Sequence, residues 1–167
     1  KLNMKKIAII SDSHGFLDQK IINHVKKCDE LWHAGDIGNI NTLDYLEKII
    51  NIKAVYGNID GQKIRTRCPE NLFFNCEGIS VLMTHIAGRP GKYTQRVKKI
   101  IQKQKPNLFI CGHSHILLVK KDLEYNHLHI NPGAIGKEGF HKYRTMIIAD
   151  INDKKIQNLN VVQFKKN

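Results

Sequence analysis

The sequence predicts an α/β fold, two mixed β-sheets packed together with helices outside. Three observations carry this. Strand and helix signals alternate through the first third of the chain. The second half is rich in short apolar runs, several of them alternating apolar and polar residues. No repeat, low-complexity linker or composition break divides the 167 residues, and 41% hydrophobic content is enough for a real core. The length suggests one domain, residues 4–167. Met4 reads as the natural start, with residues 1–3 a remnant ahead of it.

Taken in order, "KIAIIS" is a β-branched run ending at Ser11. "DQKIINHVKK" places Ile21, Ile22 and Val25 on one helical face. "ELWHAGD" reads as a second strand, "NTLDYLEKII" as a helix carrying Leu43, Leu46, Ile49 and Ile50, and "IKAVYGN" as a third strand. This β-α-β-α-β order implies parallel strands joined by right-handed crossovers. "NLFFNCEGISVLMTH" reads as a hairpin turning near Glu77 and Gly78. A basic helix over residues 92–105 carries Val97, Ile100 and Ile101 and stops before Pro106. "NLFICGH", "ILLVKKD", "NHLHINPGA", "TMIIADIND" and "KIQNLNVVQF" complete the strands, several alternating as antiparallel strands do.

Composition excludes some classes. No apolar run approaches the roughly 18 residues that span a bilayer, and the first apolar stretch is too short for a signal-peptide core. A cytoplasmic protein without membrane contact is expected. Cys28, Cys68, Cys76 and Cys111 form no CxxC pair, which argues against a zinc ribbon or redox motif and fits reduced thiols. The net charge of +12 attracts polyanions. Charge alone does not make a nucleic-acid site, and no aromatic-rich basic stretch is present to stack bases.

In a parallel α/β sheet, ligands bind beyond the carboxyl ends of the strands. The residues just after the strands are unusual here. They are Asp12 and His14 in "SDSHG", Asp36 in "HAGD", Asn58 in "GNID", His85 in "MTH", and His113 and His115 in "CGHSH". Residues i and i+2 of an extended segment point the same way, so His113 and His115 are expected to aim at one site. Seven oxygen and imidazole ligands at one sheet edge exceed the needs of one ion. Two ions sharing a bridging carboxylate use them all. His24, His33, His127, His129 and His141 are assigned ordinary surface or core roles, with His33 and His129 adjacent to site segments.

The ordered set D-x-H, G-D, G-N, H and G-H-x-H resembles the metallophosphoesterase, or calcineurin-like phosphoesterase, superfamily. With "GNID", "NPGAIG" and the short chain, it looks most like the small bacterial and archaeal phosphodiesterase branch. The resemblance runs from Met4 to about Ile151. It implies a four-layer α/β/β/α sandwich. Asp12, His14 and His115 would hold one metal, Asn58, His85 and His113 the other, and Asp36 would bridge them. Asp36, Asn58 and His85 are read as catalytic. Mixed nitrogen and oxygen shells suit Mn²⁺ first, then Fe²⁺, Ni²⁺ or Zn²⁺, better than Mg²⁺ or Ca²⁺. Two such ions acidify a bridging water, and the resulting hydroxide attacks phosphorus in line. The implied activity is hydrolysis of small phosphate esters, diesters above all.

Many larger members have a histidine immediately after the motif asparagine. Here Ile59 stands there, with no proton to give a leaving group; Asp60 assists only if its side chain turns inward. Substrate contacts are expected from Arg89 and Lys92 in "HIAGRPGKY". Asn131 in "NPGAIGK" is expected either to touch substrate or to brace a metal ligand, and Lys137 to face substrate. Two rival readings remain. One is an interaction module resembling the retromer subunit of this fold, which eroded ligand motifs would mark. The other is a nuclease.

Overall fold

The computed structural model describes residues 4–166, so residues 1–3 and Asn167 lie outside it. The elements in order are β1 (Lys5–Ile10), α1 (Gln19–Val25), β2 (Glu30–His33), α2 (Ile40–Ile49), β3 (Asn51–Ala54), α3 (Gln62–Arg65), β4 (Asn71–Cys76) and β5 (Ile79–Thr84). There follow β6 (Gly88–Arg89), β7 (Lys92–Tyr93), α4 (Gln95–Gln104), β8 (Leu108–Ile110), β9 (Leu117–Asp122), β10 (His127–Pro132), β11 (Tyr143–Asn152) and β12 (Lys155–Lys165).

Two mixed five-stranded sheets result, ordered β12-β11-β1-β2-β3 and β4-β5-β8-β10-β9. Alternation along β1 shows how they stack. Ile7 and Ile9 join Trp32, Val81, Met83, Ile110 and Ile130 in the core between the sheets. Ala8 and Ile10 face the other way, onto Ile21, Ile22 and Val25 of α1 and Leu46 of α2. On the far side, Leu82 and Phe109 pack against Val97 and Ile101 of α4. The order of layers is therefore α/β/β/α. Each fully buried Ile or Leu contributes about 1.5–3 kcal/mol through apolar burial.

β1, β2 and β3 run parallel, as the alternating pattern implies. The second sheet departs from the antiparallel expectation, because β5, β8 and β10 are mutually parallel. β8 is buried along its whole length, as a central parallel strand must be, and so shows no period-two pattern. The basic helix also starts later than residue 92. Thr94 caps it, accepting from the Val97 N–H, while Lys92 and Tyr93 pair with Gly88 and Arg89 in a small hairpin. The Pro90-Gly91 turn and the capping threonine were the signals for this boundary.

Candidate metal centre

The strand ends converge through backbone ladders. The Asp12, His14 and Gly15 N–H groups donate to the carbonyls of Gly35, Asp36 and Ile37 at 3.0, 3.0 and 2.8 Å. The loops after β1 and β2 are thereby locked side by side. Gly112 N–H donates to the His85 carbonyl, and the 131–136 loop closes the other flank through Ile135 N–H to Ser11 O and Gly136 N–H to Asp12 O.

Five of the expected ligand residues lie in the left-handed backbone region. Their φ values are 55° for Asp12, 47° for His14, 54° for Asp36, 69° for His113 and 58° for His115. Non-glycine residues there cost about 1–2 kcal/mol each, which the ladders sustain. The close fit also needs glycine beside the ligands. A Cβ on Gly57 would stand 2.0 Å from Asp36 Oδ1, and one on Gly112 would stand 1.9 Å from Ser11 Oγ.

Two groups of ligand atoms form. Asp12, His14 and His115 make one, and Asp36, His85 and His113 the other, each with its atoms within 4.8 Å of one another. The groups touch. His14 Nε2 lies 3.7 Å from Asp36 Oδ2, and His85 Nε2 lies 3.3 Å from Asp36 Oδ1 and 3.8 Å from Asp12 Oδ1. His113 and His115 fall in different groups, and these groups adjoin. Their segment is a left-handed turn rather than an extended strand, so i and i+2 diverge. Asn58 is exposed and lines a cavity of about 200 Å³ together with His85.

The donor set fits divalent metal. Asp12 Oδ1, His14 Nε2 and His85 Nε2 are buried and have no hydrogen-bond partner, which a native fold rarely tolerates without a ligand. His85 Nδ1 donates to the Ala34 carbonyl at 2.7 Å, which leaves Nε2 as the free lone pair aimed at the carboxylates.

Around this centre several residues act as supports. Asp60 does turn inward, but its carboxylate accepts from the N–H groups of Ile37, Gly38 and Gly57. Held by three donors, this carboxylate clamps the loops. Ile59 is 46% exposed, and its N–H donates to Asp36 Oδ1 at 3.1 Å. Asn131 donates to Gly112 O and Ser114 Oγ and accepts from Gly133 N–H, so its polar atoms brace the turn that carries His113. Lys137 lies over the Phe16 ring at 4.7 Å.

Sequence reasoning put His33 near the site without a role there and gave His141 an ordinary surface or core role. His33 is fully buried. Burial pushes its imidazole down to about 4, and it bridges Ser13 Oγ (2.8 Å) and Gly35 N–H (3.2 Å), one from each ligand loop. His141 packs edge-on against His115, with ring centroids 5.3 Å apart. The position of His33 at the end of β2, one strand over from Ser13, was the only sequence signal for it.

The family model for the calcineurin-like phosphoesterase superfamily domain matches residues 4–154. The chain belongs to that superfamily, whose members use divalent metals and act on phosphate esters. A probable metallophosphoesterase of Methanothermobacter thermautotrophicus is 26% identical over 133 residues, covering 77% of this chain and 76% of that protein. The solution structure of a Thermotoga maritima protein superposes with a TM-score of 0.75 at 23% identity, covering 96% of this chain and 99% of that one. Wild-type Vps29 of Entamoeba histolytica, solved as a Zn²⁺ complex, gives a TM-score of 0.72 at 16% identity over 97% and 99% of the two chains. These structural likenesses establish the shared fold. Among the described residues, no helix is long and apolar enough to cross a membrane.

Proposed function

We propose that the protein is a metal-dependent phosphodiesterase using two divalent transition-metal ions, Mn²⁺ the favoured pair. Asp12, His14 and His115 would hold one ion and Asn58, His85 and His113 the other, with Asp36 shared. The observation that carries this is the contact between the two ligand groups, with buried, unpartnered atoms from Asp12, His14 and His85 facing one space. When bound, the ions supply Lewis acidity toward the phosphoryl oxygens and lower the pKa of water. The protein's own part is charge and orientation. Asp12 and Asp36 offset cationic charge, the Ala34 carbonyl fixes the His85 tautomer, and Asn131 and His33 hold the loops.

Hydrolysis adds water across one P–O bond: a new P–O bond forms from water, the ester P–O bond breaks, and the departing oxygen takes the proton. Ile59 has no proton to give, and the Asp60 carboxylate is occupied by backbone donors. Leaving groups that need little protonation, such as aryl oxygens, are therefore favoured. Four unpaired cysteines support a cytoplasmic setting.

The test is to strip the protein with chelator, reload it with Mn²⁺, and assay aryl monoesters, aryl diesters and single-stranded DNA. Reloading should restore diester hydrolysis, and Asp36→Asn should lower it by about 100-fold or more while the protein still folds. Full activity and metal content in Asp36→Asn would refute the shared-carboxylate centre. Tight metal binding with no hydrolysis would favour the interaction-module reading, and preferential strand cleavage the nuclease reading.

A further inference from the structure

The two flanks of the metal centre differ. On the Asn58–His85 side, the small cavity is bordered by Arg65 and Arg96, and both are committed to the protein. Arg65 donates to the carbonyls of Gly57, Asn58 and Asp60, and Arg96 to Asn71 Oδ1, Thr84 Oγ1 and the Ile86 carbonyl. On the His113 side, a cavity of about 400 Å³ is lined by Ile116 and Leu118 together with Arg89 and Lys92. It runs on into a groove shared by Arg89, Lys92, Leu118 and Lys120. Among the described residues, none of these three cations takes part in an ion pair.

The basic part of the lining is held in place. Arg89 and Lys92 face each other across the β6–β7 hairpin, and the next residue, Tyr93, is buried with its hydroxyl 3.0 Å from His127 Nε2 and 2.9 Å from His129 Nδ1. Thr94 N–H closes the hairpin base on the Ala87 carbonyl. The apolar part of the lining is partly open to solvent: Leu118 is half-buried, and Ile116 is 66% accessible although it directly follows His115. Free cations and aliphatic side chains lining one cavity, beside the candidate metal centre, match a ligand with an apolar part and an anionic group.

Resting on the phosphodiesterase reading, we propose that this cavity binds the larger substituent of the substrate. That substituent has an apolar or flat body against Ile116 and Leu118 and a second anionic group at Arg89 and Lys92, the chemistry of a nucleotide unit carrying a phosphate beyond the scissile one. The smaller flank takes the lesser substituent.

Equilibrium binding separates this from the catalytic reading. With the Mn²⁺-loaded protein, thymidine 3′,5′-bisphosphate and thymidine 5′-monophosphate are titrated by calorimetry, with inorganic phosphate as reference. The bisphosphate should bind about tenfold more tightly than the monophosphate, as a charge-assisted contact provides. Arg89→Gln/Lys92→Gln should bring the ratio close to one. Ile116→Asp, on an exposed position that tolerates change, should weaken both nucleotides more than inorganic phosphate. Equal affinity in the wild type, or a ratio that survives the double substitution, overturns the proposal. Hydrolysis of bis(p-nitrophenyl) phosphate by the same preparation reports separately on the phosphodiesterase reading, since that diester carries no second anion.

Discussion

His85 and His115 sit above the ordinary imidazole value in the metal-free protein. Burial alone lowers His85, but the carboxylates of Asp36 and Asp12 outweigh it, whereas His115 is raised mainly by its contact with Asp12. Burial likewise pushes Asp12 and Asp36 upward, and the facing imidazoles hold both below the usual carboxylate range. The raised histidines stabilise the fold fully below about pH 6.5 and lose that contribution as pH rises through their folded values. The lowered carboxylates contribute above about pH 4 and lose it as pH falls. The centre therefore supports the metal-free fold between about pH 4 and 6.5, whereas metal requires neutral imidazoles. The rise in melting temperature on adding Mn²⁺ should be small at pH 5.5 and grow toward pH 8. A shift that stays flat over this range would count against histidine ligation. Backbone strain at single residues is testable too. His113 is exposed with φ of 69°, so His113→Gly and His113→Ala both lose the imidazole but only glycine relieves the conformation. The metal-free glycine variant should be more stable than the alanine variant by about 1 kcal/mol in denaturant titrations. Equal stabilities would show that the turn holds no strain.

At the scale of elements, the centre is a set of strand ends fitted into one another. Asp12 Oδ2 accepts the His113 N–H at 3.1 Å, which couples the loop after β1 to the turn after β8. Gly112→Ala drives a methyl into Ser11 Oγ, so it should weaken metal binding by about 10–100-fold, and Ser11→Gly in the same chain should recover part of that loss. Metal titration of the three proteins decides it; an unaltered affinity in Gly112→Ala would mean the turn yields freely. Six of the seven residues come together in the two groups, and their positions were legible because they cluster after apolar runs with flanking glycines that mark sharp turns. What the residues do after the strand was not legible. A histidine carries no mark of a left-handed φ, so the divergence of His113 from His115 had to come from the ladders around them. The short hairpin at Gly88 to Tyr93 was hidden for a similar reason, since the periodicity of Val97, Ile100 and Ile101 extends backward without showing where the cap falls. Parallel pairing of β5, β8 and β10 was invisible because a buried run reads alike in either direction.

Across the whole molecule, three apolar layers sandwich two sheets, and the centre lies where both sheets present strand ends. β1 is flanked by β2 on one edge and by β11 on the other, with Lys5 opposite Ile151. β1 is thus completed by a strand that follows it by more than 130 residues. While the ribosome is still working, β1 keeps an open edge that a neighbouring nascent chain could pair with. The same late segment supplies the contacts of Ile135 and Gly136 to the loop bearing Asp12. Closure of the sheet and assembly of the ligand loops therefore belong to one late, non-local event, of the kind that folds slowly. A fragment that stops before Ile135, however well it forms its parallel strands, lacks the loop whose backbone braces Ser11 and Asp12.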